Sequence, residues 1–223
     1  MKPRKRLAPQ SNEISVCAST LLHQLRNVLQ PLQSHVQILT SRQSEPSPLL
    51  THIESDLDYL ERFVSRASSL TKDVEPDLGP VKIRSLLASV AHELGTRHGG
   101  VHFSVEGDEV TWSVDERLFR IALAELITNA VEATANCAER RVDLKCRKKD
   151  GTLELSIHDN GKGLAEEIRA RLFSPFFTTK GISGAGLGLP MALKIVQAHG
   201  GTLILSSEKK TTCARISLRQ GAH

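Results

Sequence analysis

"ELITNAVEA", residues 125–133, is the stretch on which the reading of the fold turns. It lies inside "RLFRIALAELITNAVEATA" (117–135), whose apolar spacing predicts a long helix. Glu125, Asn129 and Glu132 stand at i, i+4 and i+7 and so share one face. Leu126, Ile127, Ala130 and Val131 fill the sides that pack. An amide oxygen flanked by carboxylates suits Mg2+, which takes oxygen ligands and keeps several waters. The same pattern also fits a plain helix with a polar outer face, so its meaning depends on the chain downstream of it.

Three more segments come after it in order. "HDNGKGL" (158–164) ends an alternating run, "TLELSIHD", that predicts a strand. Asp159 at the strand end, with Gly161 and Gly163 behind it, offers a carboxylate to an adenine amino group where backbone approaches closely; Asp-Asn-Gly is equally good turn chemistry. Next come "FSPFFTTKG" (173–181) and "GAGLGLPMALKIV" (184–196). Gly184, Gly186 and Gly188 precede a helix whose free N–H groups and dipole suit phosphate. No GxxxxGK[ST] occurs, so this is not a Walker loop.

In this order the four segments resemble the catalytic domain of sensor histidine kinases, within the superfamily of gyrase-type and heat-shock ATPases and mitochondrial dehydrogenase kinases. The resemblance spans about 81–218. It implies that Asn129 ligands Mg2+ and that Asp159 binds the adenine amino group, with Gly161 and Gly163 shaping that wall. It implies that Phe173, Phe176 and Phe177 anchor a lid, with Thr178, Thr179 and Lys180 near the phosphates. It further implies that Gly184, Gly186, Leu187 and Gly188 bring the lid to the phosphates and that Thr212 assists at the adenine through water. One departure stands out. Histidine kinases of this type commonly carry asparagine where Glu125 stands, and glutamate there is similar to the ATPase and dehydrogenase-kinase branches, where it acts as a general base.

Upstream, residues 13–72 predict two helices. Leu22, Leu25, Leu29, Leu32, Val36 and Leu39 step by three and four, as do Leu50, Ile53, Leu57, Leu60, Val64 and Ala67. Two prolines in "SRQSEPSPLL" separate them, which makes an antiparallel hairpin. One hairpin buries one face of each helix, so a four-helix bundle from two chains is expected. The hairpin resembles the dimerisation and phosphoacceptor domain of the same kinases, and "HQLRNVL" resembles their phosphoacceptor box: His, acid, Leu, Arg, any, Pro, Leu. His23 shares a wheel face with Ser19, Asn27, Gln30 and Ser34, away from the core stripe. The resemblance makes His23 the nucleophile and places Asn27 where water is oriented for dephosphorylating the partner.

Two residues depart from that box. Gln24 replaces the acid, and glutamine orients an imidazole without taking its proton, which slows autophosphorylation by roughly 10²-fold. Val28 replaces the proline, while Pro31, three residues on, removes a bond to the Asn27 carbonyl and is expected to bend the helix.

Composition is that of a globular protein: 223 residues, 39% hydrophobic and 24% charged. The net charge of +4 sits in "MKPRKRLAPQ"; without Lys2, Arg4, Lys5 and Arg6 the basic and acidic residues balance. That tail reads as a flexible, solubilising end, and no nucleic-acid partner is expected. No apolar run suits a membrane span and no signal peptide shows, so a cytoplasmic location is expected. Cys17, Cys137, Cys146 and Cys213 show no metal spacing.

The fold expected is α+β: a basic tail (1–12), a hairpin (13–72), a linker (73–80) and an ATP-binding α/β sandwich (81–220) with helices on one face of a sheet. "VHFSV" (101–105) and "VTWSV" (110–114) are read as strands across an "EGDE" turn. The function expected is an ATP- and Mg2+-dependent protein histidine kinase, homodimeric, passing phosphate from His23 to an aspartate of a response regulator, with regulator phosphatase activity also open. The alternatives are an ATPase or serine kinase with Glu125 as base, and a nucleotide-binding pseudo-kinase.

Overall fold

The computed structural model describes residues 10–41, 48–179, 186–208 and 211–219. The chain divides into two compact units, Met1–Asp73 and Val74–His223.

The first unit is a helical hairpin of α1 (Gln10–Ser41) and α2 (Pro48–Thr71). Burial alternates along most of the two stripes, with Ala67 also buried at the end of the second. Leu29, Leu57 and Val64 are buried, with Leu22, Val36 and Phe63 packed around them. Leu25, Leu32, Leu39, Ile53 and Leu60, one helical turn away from these, are exposed. Polar bonds flank the seam: Gln33 Nε2 donates to Glu61 Oε2 at 3.0 Å, and Thr40 Oγ1 to Glu54 Oε1 at 2.7 Å. Pro31 lies inside α1, which continues to Ser41 rather than ending there.

The second unit is α+β. A five-stranded sheet runs β2-β4-β5-β7-β6, built from β2 (Val101–Gly107), β4 (Arg140–Lys149), β5 (Thr152–Asp159), β7 (Thr211–Arg219) and β6 (Thr202–Glu208). Among the described residues only the β2–β4 pair of this sheet is parallel. Asp150 (φ 47°) and Gly151 (φ 71°) form the two-residue turn between β4 and β5, both in the left-handed region that a tight hairpin needs. Side chains alternate strictly along β5: Leu153, Leu155, Ile157 and Asp159 are buried, while Thr152, Glu154, Ser156 and His158 are less so. The buried face packs on α3 (Ile83–Arg97), α4 (Glu116–Ala133) and α6 (Gly188–Ala198). Leu87, Phe119, Leu123, Ile127 and Ile195 fill the layer between them and the sheet. A short helix, α5 (Glu166–Arg169), comes after β5.

One expectation is corrected. β2 and β3 (Thr111–Val114) do not form a hairpin across "EGDE": β2 joins the large sheet, whereas β3 pairs with β1 (Gly79–Lys82) in a two-stranded ribbon. The turn residues explain the divergence. Glu109 is drawn to the start of α3, where it accepts the Arg84 N–H at 3.0 Å and the Ser85 hydroxyl. Val110 is buried and its carbonyl accepts the Ile83 N–H at 3.0 Å. Capping α3 and burying Val110 therefore turn the chain away from β2.

Candidate nucleotide site and phosphoacceptor helix

The sheet row that ends β5 has two faces. Asp159 and Thr212 are directly opposite each other on β5 and β7, and both are buried on the helix side. Their neighbours His158 and Cys213, also paired, point to the open face. The Asp159 carboxylate accepts the Gly161 N–H at 2.9 Å and is hydrogen-bonded by Thr212. Burial nevertheless pushes its pKa up to about 6, because these two bonds offset only part of the lost hydration. At neutral pH the group is largely ionised, an acceptor held in a dry place and suited to an amino donor.

Gly161 is required by packing. A Cβ there would lie 2.5 Å from the Ala133 carbonyl oxygen, so the chain after Asp159 rests directly on the C-terminal end of α4. Asn160 fastens the same corner: its side chain accepts the Arg141 N–H at 2.9 Å and donates to the Glu139 carbonyl at 2.7 Å. Gly163 comes next with a φ of 73°.

α4 brings Glu125 and Asn129 to the start of α6. A Cβ on Gly188 would sit 2.5 Å from Glu125 Oε2 and 3.8 Å from Asn129 Nδ2. Glu132, predicted on the same face, is exposed further along. α6 begins at Gly188 with no side-chain cap, so its first N–H groups face this end with the positive pole of the helix. Leu187 is fully buried beneath it. Gly186, at φ 63°, seats the preceding segment: an added Cβ would lie 2.5 Å from the Phe176 carbonyl carbon. The Gly186 carbonyl accepts the Phe176 N–H at 3.0 Å.

The aromatic segment is thereby joined to the start of α6. Phe173 packs on the core, the Arg171 guanidinium lies 4.6 Å from the centre of the Phe177 ring, and Phe176 is exposed. Thr178 is half-buried and Thr179 exposed. Lys180 and Gly184 lie outside the described residues. The elements thus bring Asp159, Gly161, Gly163 and Thr212 together at the β5–β7 corner, and Glu125, Asn129, Gly186, Leu187 and Gly188 together at the α4–α6 end. A groove of about 550 Å3 between Arg141, Lys145, Arg147 and Arg215 runs along the sheet and reaches Asp159 and Asn160 at the end of β5.

Sequence reading passed over Asp115 and His199. Asp115 caps α4, and its N–H donates to the His199 ring 84 residues away. "VDER" before an apolar run was the available signal for the cap; nothing local marks the histidine.

In the first unit His23 and Asn27 are both exposed, one turn apart on α1. Gln24 belongs to α1, but its side chain lies outside the described residues.

Residues 114–222 match the family described as histidine kinase-, DNA gyrase B-, and HSP90-like ATPase. Among curated relatives, the chain is 27% identical over 191 residues to the signal transduction histidine-protein kinase AtoS of Escherichia coli (strain K12), covering 83% of this chain and 31% of that one. It is 28% identical over 226 residues to the sensory histidine kinase/phosphatase NtrB of Rhizobium meliloti (strain 1021), covering 92% and 58%. It therefore spans roughly a third to three-fifths of their lengths. Among solved structures it shares the fold of full-length ShkA in complex with AMPPNP, with a TM-score of 0.76, 24% identity, and 97% of this chain and 47% of that one covered. It also shares the fold of histidine kinase ThkA in complex with response regulator protein TrrA, with a TM-score of 0.68, 19% identity, and 96% and 64% covered.

The segment 114–222 is thus an ATP-binding domain of the histidine kinase, gyrase B and HSP90 type. The chain as a whole, helical hairpin included, is similar to sensor histidine kinases over most of its length and shares their fold.

Proposed function

We propose that this chain is the core of an ATP-dependent protein histidine kinase that phosphorylates His23 and passes the phosphoryl group to an aspartate of a response regulator. The observation that carries the reading is one domain holding both a buried Asp159–Thr212 pair and the uncapped start of α6 beside Asn129 and Glu125. These are recognition groups for the two ends of a nucleotide, an adenine amino group and a polyphosphate. The exposed His23 on α1 supplies the acceptor.

Asn129 and Glu125 are oxygen donors at the phosphate end, a set that fits Mg2+ with waters completing its shell. When bound, Mg2+ neutralises charge on the phosphate oxygens. The chain's own part is positioning. Asp159 and Thr212 fix the base, the α6 N–H groups and dipole hold phosphate oxygens, and the Phe173–Phe177 segment borders the site. A neutral imidazole nitrogen of His23 attacks the γ-phosphorus in line. The N–P bond forms as the bond to the bridging oxygen breaks and ADP leaves. The ring proton must then go to water or another base, because Gln24 does not accept it.

Two further features belong to the reading. The exposed Leu25, Leu32, Leu39, Ile53 and Leu60 form an apolar seam that a second hairpin would cover, giving a homodimeric four-helix bundle. Asn27, exposed one turn from His23, favours regulator phosphatase activity as a second reading, in keeping with the kinase/phosphatase name of NtrB. A cytoplasmic site of action fits this partner, and among the described residues no helix is long and apolar enough to cross a membrane.

Incubation with γ-labelled ATP tests the reading. An acid-labile label on the protein, absent in His23→Gln, is expected. An acid-stable label, or phosphate release that persists in His23→Gln and ends in Glu125→Gln, would favour an ATPase or serine kinase using Glu125. Nucleotide binding without any phosphoprotein would make the chain a pseudo-kinase.

A further inference from the structure

Asp115 and His199 meet at the end of the α4–α6 pair opposite Glu125 and Gly188. The imidazole uses both nitrogens. A carbonyl only accepts, so Nδ1 carries the proton and donates to the Ile195 carbonyl at 2.8 Å. A backbone N–H only donates, so the bare Nε2 accepts the Asp115 N–H at 3.0 Å. The ring also lies 5.5 Å from the fully buried Phe119 ring, centre to centre, tilted by 58°. Asp115 is held in turn. One carboxylate oxygen accepts the Leu118 N–H at 2.9 Å and the other the Asp77 N–H at 3.1 Å. Its carbonyl accepts the Phe119 N–H at 2.8 Å.

α4 and α6 therefore meet at both ends. At one end His199 closes α6 onto the cap of α4; at the other, Gly188 lies beside the Glu125 carboxylate. The helix between spans Gly188–Ala198, or about 16 Å at 1.5 Å per residue. A helix fixed at its C-terminal end cannot slide along its neighbour without breaking that bond, and its N-terminal N–H groups keep their distance from Asn129.

We infer that the Asp115–His199 pair is a positioning clamp that sets the register of α6 on α4 and so holds the phosphate end of the nucleotide site in its binding geometry. The inference rests on the nucleotide-site reading above. Neither residue touches the nucleotide; both act through α6.

The test uses the full chain, the non-hydrolysable analogue AMPPNP with Mg2+ as probe, calorimetric titration, and amide hydrogen exchange resolved along the chain. His199→Leu removes both ring bonds and is expected to weaken binding about tenfold, the size of the one bond, from the Asp115 N–H, that crosses between the helices. It should also speed exchange across Gly188–Leu193 while leaving the β4 and β5 amides protected. His199→Gln, whose side-chain oxygen reaches for the Asp115 N–H, is expected to restore affinity to within about threefold of the parent. If His199→Leu does not fold, His199→Asn, which keeps the Ile195 bond and loses the other, carries the same expectation. Parent-like affinity and parent-like exchange in the Leu or Asn variant overturn the clamp, as does a Gln variant as impaired as Leu. A parent chain that binds no nucleotide overturns the clamp and the site reading together.

Discussion

Asp159 shows at the scale of one residue how a buried acceptor, proposed above to bind the base, is made at the expense of stability. Its pKa is raised to about 6 because burial removes water faster than Gly161 and Thr212 replace it. The folded state therefore holds its proton more tightly than the unfolded chain, where the carboxyl keeps its ordinary value of 3.8. A raised acid pKa favours folding while the group is protonated, and this contribution fades as pH climbs from about 4 to about 6. Above that window the buried carboxylate costs about 2–3 kcal/mol. Asp159→Asn is accordingly expected to raise the melting temperature at pH 8, with the gain gone at pH 4, while abolishing nucleotide binding. Thermal scans at the two pH values and one titration check this. Lower stability of the Asn variant at pH 8 would show that the carboxylate is not strained there. In the parent, nucleotide affinity should fall about tenfold between pH 7.5 and pH 5, as protonation removes a charged acceptor.

At the scale of elements, the start of α6 depends on a backbone that few residues adopt. Gly186 combines a φ of 63° with contact against Phe176 and Phe177. Gly186→Ala adds both a left-handed alanine and a collision with backbone, so the aromatic segment must shift. The expected result is nucleotide affinity lower by about tenfold or more, with the sheet unaffected and a stability loss of about 1–2 kcal/mol. Titration with hydrogen exchange separates these effects; unchanged affinity would mean that the segment does not border the nucleotide. The glycine pattern was legible in "GAGLGL", and so was the helix behind it. The collision partner was not, since nothing local says that residues 176 and 186 touch.

For the whole molecule, the hairpin poses the main question, because half of its apolar stripe is covered within one chain. Leu29 is 8% exposed and Leu32, three residues on, is 46% exposed. The two should respond differently. Leu29→Ala opens a cavity inside the hairpin and is expected to cost about 2–4 kcal/mol. Leu32→Glu places a charge on the proposed dimer seam and is expected to give monomers in sedimentation with the ATP-binding domain intact. A parent chain that sediments as a monomer would remove the proposed bundle. Single-chain packing does not distinguish the two positions in advance, because a stripe spaced by three and four reads alike at every step.

Periodicity and turn chemistry, both local, were enough to determine the two helices, the β4–β5 hairpin and the helix behind "GAGLGL", while the expected class of site came from the resemblance of four ordered segments to a known family. Each comes from side-chain spacing or from a residue that alone tolerates a given φ. Tertiary structure decided what depends on distant partners. It sent β2 and β3 to different sheets, because Glu109 was needed at α3 and Val110 in the core. It placed Thr212 against Asp159 and gave that carboxylate its raised pKa, since desolvation belongs to a folded environment and not to a residue type. It also joined Asp115 to His199 across 84 positions of chain, a contact with no sequence period because only the packing of α6 on α4 creates it.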